Sequence, residues 1–184
     1  LMFSIPILAV LLGLIIGSFV NVLIHRLPRM MQTEAESEAR EILNVDASAE
    51  PPTLVAGPRF NLITPRSRCP ACGAPIQAWQ NIPLVSWLLL RGRCAECRAP
   101  ISVRYPLVDL LTGVLFATVG WHFGATVETL YGCVIIALLV AMSGIDFDTQ
   151  YLPDSLTLPM LWLGLLAAVV TGRGAAPFPV GPTD

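Results

Sequence analysis

Lysine is absent from this 184-residue chain, and charged residues of all kinds make up only 13% of it. The eleven basic residues are therefore all arginine, and the thirteen acidic residues leave a formal net charge of -2 at pH 7. Such a chain offers no positive field to a nucleic-acid backbone, which excludes nucleic acid as a partner. Hydrophobic residues account for 54% of the sequence. This balance is far more apolar than that of a soluble domain and predicts a membrane protein.

The chain contains four long apolar runs. A bilayer core about 30 Å thick needs about 20 helical residues, and each run is near that length. The first run could instead be a secretory signal, but it has no preceding basic residue and no A-x-A-like cleavage site. We therefore predict an all-α polytopic protein with about four transmembrane helices in the lipid bilayer, at residues 1–24, 107 to about 125, about 127 to 145, and 156–170.

The arginines indicate the orientation of these helices. Ten of the eleven lie between Arg26 and Arg104, and the connection between the second and third runs has none. Because loops rich in arginine stay in the cytoplasm, the long loop between the first two runs is expected there, with the N-terminus outside. Following the helices through, the segment from Asp146 to Asp154 is expected on the cytoplasmic side.

Four cysteines occupy the second half of that long loop. Cys69 and Cys72 form one C-x-x-C pair and Cys94 and Cys97 another, with 21 residues between the pairs. Two such turns can present four thiolates to one zinc ion, which predicts a closed structural site without an open position for catalysis. Paired disulfides are the alternative, disfavoured in a reducing cytoplasm. Residues 31–58, which precede the cysteines, are expected to be a solvated spacer. We find no internal repeat in the sequence. The fifth cysteine, Cys133, lies within the third apolar run and is expected to be a core residue.

Aspartates near the ends of the apolar runs are the candidate catalytic groups. Asp146 could be one member of an aspartic protease pair, in which two carboxylates share a proton while activating water. Alternatively, Asp146 and Asp148 merely mark the polar boundary of the bilayer, and Asp154 caps the helix that follows. Asp109, inside the second run, needs a partner or an interior position and is a candidate of lower rank, with Arg104 as its expected partner.

Several motifs, in order, resemble those of one known family, the type IV prepilin peptidases. These bifunctional inner-membrane enzymes cut the leader from pilins and pseudopilins and then N-methylate the new terminus. The matching stretches cover most of the chain: GSFVNVLIHRLP at 17–28, NIPLVSWLLLRGRC at 81–94, RYPLVDLLTG at 104–113 and IDFDTQYLPD at 145–154.

The resemblance implies roles for particular residues. It makes Asp146 the first catalytic aspartate, with Asp148 and Asp154 as candidate supporting residues. It makes the four loop cysteines a zinc-binding tetrad and implies S-adenosylmethionine as the methyl donor, with the Gly92 region linked to methylation. It also implies type IV prepilins and pseudopilins as substrates and the bacterial inner membrane as the location.

The sequence departs from the family pattern in two places. Asp109 stands where many members carry Glu, and no G-x-G-D motif is present to supply the second catalytic aspartate: TGRGAAPF lacks the Asp and VGPTD lacks the spacing. We therefore expect the N-terminal portion of a longer enzyme, inactive as a peptidase by itself. A non-catalytic zinc-stapled membrane scaffold and a truncated pilin-binding paralogue are the alternatives. The expected domains are a first transmembrane helix (1–25), a cytoplasmic loop with the zinc site at 69–97 (26–106), and the start of the peptidase membrane domain (107–184).

Overall fold

The computed structural model describes residues 4–43, 61–62, 64, 67–77 and 84–172, and these residues form five helices. Two isolated antiparallel bridges, both in the cysteine loop, are the β structure found within those ranges. The predicted all-α class is confirmed. The helices are α1 (Ser4–Ile42), α2 (Val85–Leu89), α3 (Arg104–Phe123), α4 (Val127–Thr149) and α5 (Asp154–Gly172).

Three of these helices, α1, α3 and α4, are long and apolar enough to cross a membrane. They correspond to the first three predicted spans. The fourth predicted span corresponds to α5, which is a shorter apolar helix over Asp154–Val169. The expected four spans are therefore observed as three helices of spanning length and one shorter apolar helix.

The first helix is longer than its apolar run. It continues through Pro28 for 39 residues in all and ends at Ile42, although hydropathy alone suggested an end near residue 25. The residues after Pro28 include Met, Gln, Glu, Ala and Arg, which have high helix propensity. Part of the predicted spacer is thus helical, whereas residues 44–58 of the spacer and the tail at 173–184 lie outside the described residues.

Small residues allow α1 and α3 to pack closely. A Cβ built on Gly13 would lie 2.7 Å from the Cα of Gly113, and one built on Gly17 would lie 2.7 Å from the Cα of Asp109. Membrane helices commonly use small residues in this way, because backbone proximity increases van der Waals contact where lipid offers no hydrophobic driving force. The α1–α3 crossing is therefore specified by its glycines.

The third spanning helix completes the packed core against α1. One cluster of buried residues joins α1, α4 and α5: Val20, Ile24, Val140, Ala141, Ile145 and Leu156. A second cluster joins Ala9 of α1, Phe116 of α3 and Cys133 of α4. The prediction that Cys133 is a core residue is confirmed.

Candidate functional site

The four loop cysteines lie on two structurally equivalent turns. In the first turn the Cys69 N–H donates to the Ala74 carbonyl, and in the second the Cys94 N–H donates to the Ala99 carbonyl, both at 2.9 Å. Each turn is closed by an antiparallel bridge, Arg68 with Pro75 and Arg93 with Pro100. The sequence explains the match, because SRCPACGAPI at 67–76 and GRCAECRAPI at 92–101 share six residues at a spacing of 25, the cysteines included.

This repeat contradicts the expectation of no internal repeat. The signal was present in the sequence, but it extends over only ten residues and is easily missed beside longer periodicities. One position differs in an informative way: the residue after the second cysteine is Gly73 in one turn and Arg98 in the other, and both have positive φ, 71° and 58°. Glycine adopts this conformation without strain, whereas arginine does not.

The four sulfur atoms converge on a single point. All four lie within 4.8 Å of one another, and the Cys69 and Cys97 sulfurs are 3.8 Å apart. A tetrahedron with metal–sulfur bonds of about 2.3 Å has sulfur–sulfur edges of about 3.8 Å. All four cysteines are free of disulfide bonds, so the disulfide alternative is not what the structure shows. The residues fit one tetrahedral metal ion with four thiolate ligands.

Hydrogen bonds and charges within this cluster give its thiols different pKa values. Backbone N–H groups of Cys72 and Ala71 favour the thiolate of Cys69 and lower its pKa to about 7. The Ala99 N–H favours the Cys97 thiolate, but the neighbouring sulfurs, that of Cys72 above all, and desolvation of the thiolate outweigh it and raise the pKa of Cys97 to about 11. Without a metal, negative charge on one sulfur therefore opposes ionisation of the others. A divalent cation would remove that opposition and release protons.

Gly92 has a packing role beside this cluster. Its φ is +66°, and an added Cβ would lie 2.8 Å from Cζ2 of Trp87. The Gly92 carbonyl accepts a hydrogen bond from the Ile101 N–H at 2.8 Å, and this bond lies at the base of the second cysteine turn. Glycine is thus required twice, for its backbone conformation and for the approach of the indole ring. Both requirements are independent of any methyl-donor site.

Asp146 lies in the last turn of α4, close to where sequence analysis placed the end of that helix. Its side chain is exposed, while the preceding Ile145 is only 1% exposed. The Asp146 carbonyl accepts from the N–H of Gln150, which ends the helix in the left-handed conformation at φ 52°. Asp154 is the first residue of α5 and is exposed at the positive end of that helix.

Arg104 does not pair with Asp109 as expected. Its guanidinium instead forms an ion pair with Asp148 and donates to the Gly144 carbonyl at 3.0 Å. The partner of Asp109 is Asn21 of α1, whose side-chain amide donates at 3.0 Å both to the Asp109 carboxyl and to the Tyr105 carbonyl. Asp109 is 6% exposed and Asn21 likewise 6%, so the interior position expected for Asp109 is confirmed.

Two protein-family models match this chain, one over the cysteine turns and one over the aspartates at the end of α4. Residues 11–123 match the model of the Bacterial Peptidase A24 N-terminal domain, and residues 133–180 match that of the Type IV leader peptidase family. The chain belongs to the peptidase A24 family. The resemblance read from the motifs is thus confirmed. The first A24 match contains the cysteine turns and the Asn21–Asp109 pair, and the second contains Asp146, Asp148 and Asp154.

Curated A24 relatives are similar over most of this chain. A prepilin leader peptidase/N-methyltransferase of Neisseria gonorrhoeae is 53% identical over 164 residues, which are 89% of this chain and 55% of that protein. Proteins of the same name from Stutzerimonas stutzeri and Pseudomonas aeruginosa are 55% and 49% identical over 158 residues, each 86% of this chain and 53% and 52% of those proteins. The chain spans about half the length of these relatives. No solved structure matches it significantly.

The structure also shows polar contacts that sequence reasoning missed. Asn21 lies within the first A24 motif, GSFVNVLIHRLP, and its polar side chain in an apolar run was the available signal. Arg104 and Asp148 are 44 residues apart, and no local sequence pattern predicts that they form an ion pair. One polar contact thus joins α1 to α3, and a second joins α3 to the end of α4, the turn that also carries Asp146.

Proposed function

We propose that the natural protein containing this chain is a membrane-embedded aspartic endopeptidase that removes leader peptides from type IV prepilins and pseudopilins and N-methylates the new N-terminus. The observation that carries the proposal is the exposed Asp146 on the last turn of a membrane-length helix, inside the segment that matches the Type IV leader peptidase family. The names of the relatives, which state both activities, support the same conclusion.

The peptidase chemistry requires two carboxylates. One is ionised and takes a proton from water as the water oxygen adds to the scissile carbonyl, while the other holds a proton and stabilises the developing oxyanion. Proton transfer to the amide nitrogen then breaks the C–N bond and releases the amine. Asp146 is proposed as one member of this pair. The other is proposed to be supplied by the family's later G-x-G-D motif, which this sequence does not contain.

The depth of Asp146 suits this substrate class. Prepilin leaders end where the apolar helix of the pilin begins, so the scissile bond is expected at the membrane surface. The arginines that flank the spans, Arg26, Arg29 and Arg104, favour a cytoplasmic location for this end of α4. We therefore propose that the protein lies in the bacterial inner membrane with the cysteine turns and Asp146 on the cytoplasmic side.

Two further groups belong to the proposal. The ion held by Cys69, Cys72, Cys94 and Cys97 is proposed to be zinc, because four thiolates in a tetrahedron are its preferred structural site. Such a closed set of ligands stabilises the fold of the loop and leaves hydrolysis to the aspartates. S-adenosylmethionine is proposed as the source of the methyl group, since the family implies it. We assign no residue to binding of the methyl donor, because the close packing of Trp87 already explains why residue 92 is a glycine.

A leader-cleavage assay tests the proposal. The natural protein is purified, reconstituted in lipid and incubated with a synthetic substrate that contains a prepilin leader and the start of its apolar helix. We expect cleavage by the wild type, a loss of several orders of magnitude with Asp146→Asn, and a smaller loss with Asp148→Asn. Glu36→Gln, which neutralises an exposed carboxylate of α1, is the matched control and should keep the wild-type rate. A wild-type protein without cleavage would support the scaffold alternative instead.

A further inference from the structure

Arg104, the first residue of α3, contacts the end of α4 at three residues. Its Nη1 pairs with the Asp148 carboxylate, its Nη2 donates to the Gly144 carbonyl at 3.0 Å, and its Cζ lies 5.7 Å from the centre of the Phe147 ring. One planar side chain thus binds a carboxylate, a main-chain oxygen and an aromatic face at once. Arginine is suited to this because its guanidinium presents several donors in a rigid fork and stacks on aromatic rings.

The contacted residues lie before and after Asp146 in the sequence, but Asp146 itself is not contacted. Successive residues of an α-helix are rotated by about 100°, so Gly144 and Asp148, four residues apart, lie on the same face of α4. Asp146 lies two residues from each of them and therefore projects about 200° away, on the opposite face. Arg104 consequently does not present a charge directly to the proposed reaction site. It acts on the backbone that carries Asp146.

The last turn of α4 has reason to need such a contact. Helix ends open more readily than helix centres, and α4 ends at Thr149, one residue after Asp148. Gly144 adds a residue of low helix propensity there, and Gln150 ends the helix in a conformation that non-glycine residues adopt with strain. A cation at this end also complements the negative pole of the helix dipole. The side chain of Ile24 of α1 also packs against Gly144.

We propose that Arg104 is a positioning residue, which fixes the last turn of α4 and thereby the orientation of the Asp146 carboxylate. The link to peptide cleavage depends on the proposed function, whereas the structural link from Arg104 to the turn does not. Asp148 then has a second role besides its charge: it is the acceptor that fixes the guanidinium in place. The expected weaker effect of Asp148→Asn compared with Asp146→Asn follows, since Arg104 keeps its bond to the Gly144 carbonyl.

Amide hydrogen exchange tests the structural link by itself. In the reconstituted natural protein, Arg104→Gln should accelerate exchange of the amides of residues 146–150 by at least tenfold, while the amides in the middle of α4 remain protected. Arg104→Lys should give an intermediate acceleration, because it keeps the charge opposite Asp148 but loses the fork. Arg40→Gln, which removes an arginine in the last turn of α1, is the control and should change nothing in α4. Wild-type exchange rates in Arg104→Gln would overturn the proposal.

Leader cleavage tests the functional link through a double-mutant cycle. Arg104→Gln should lower kcat at least tenfold with KM unchanged, because the substrate still binds while the carboxylate is misplaced. Adding Asp148→Asn to Arg104→Gln should cause no further loss, since both changes break the same contact. Multiplied losses, or a normal kcat in Arg104→Gln, would contradict the positioning role. If the wild type fails to cleave, the proposed function is wrong, and the exchange experiment still decides whether Arg104 fixes the turn.

Discussion

Replacing Gly17 by alanine should separate α1 from α3, although alanine is the better helix former. A Cβ at this position would lie 2.7 Å from the Cα of Asp109, whereas ordinary contact begins at 3.4 Å. The helices would have to move apart by about 0.7 Å, the difference between these distances, because the opposing atom belongs to the backbone and cannot rotate away. The same movement would stretch the buried hydrogen bond from Asn21 to Asp109.

The expected magnitude follows from two opposing effects. Overpacking of a tight contact destabilises by about 1–3 kcal/mol, and the gain in helix propensity from Gly to Ala offsets at most about 1 kcal/mol. The net effect at Gly17 is therefore a loss of about 1–2 kcal/mol. Gly164 in α5 is the matched control, because an added Cβ there meets nothing within 4 Å. Gly164→Ala should leave stability unchanged or raise it slightly.

Thermal unfolding in detergent, followed by tryptophan fluorescence, measures the difference. For a chain of this size a loss of 1 kcal/mol lowers Tm by roughly 2–4 °C, so Gly17→Ala should unfold several degrees below Gly164→Ala. Gly13→Ala, which opposes the Cα of Gly113 at 2.7 Å, should behave like Gly17→Ala. A Gly17→Ala protein as stable as Gly164→Ala would refute the close α1–α3 crossing.

Three further predictions concern the loop and the orientation. Elemental analysis should find one zinc ion per chain, and the zinc content should be strongly reduced in Cys94→Ser. Zinc affinity should fall as pH is lowered, most steeply below about 7, where Cys69 is also protonated. A zinc affinity that does not depend on pH would argue against thiolate ligands. Gly92→Ala should displace Trp87 and weaken zinc retention, whereas normal retention would show that the close packing is dispensable. A cysteine introduced at Ser37 should resist a membrane-impermeant reagent added outside intact cells while one at Gly124 reacts, and the reverse labelling would invert the proposed topology.

Periodicity and spacing predicted the features that depend on local sequence. The apolar runs predicted the order of the three helices of spanning length and the shorter apolar α5, and the C-x-x-C pairs identified the four cysteines whose sulfurs the structure brings together. The end of α1 was misplaced because hydropathy reports where lipid contact ceases, whereas helix propensity carries the backbone on to Ile42.

Contacts between distant helices could not be read in this way. Asp109 and Arg104 lie five residues apart and were expected to pair, but the close α1–α3 crossing brings the Asn21 amide to Asp109 instead. Arg104, at the start of α3, reaches across to α4. Both partners depend on how helices cross, and that geometry is set by glycine contacts spread over the whole chain.

The central claim, that Asp146 performs peptide hydrolysis, is tested most directly by measuring two activities on one preparation. The natural protein carrying Asp146→Asn is given an uncleaved leader substrate and, separately, a substrate already cleaved and ready for methylation. We predict that leader cleavage is lost by several orders of magnitude while methyl transfer to the cleaved substrate proceeds at the wild-type rate, because methyl transfer needs a donor and a free amine but not the aspartate. Appreciable leader cleavage by Asp146→Asn would contradict the claim, and so would loss of both activities together, which would make Asp146 a structural residue.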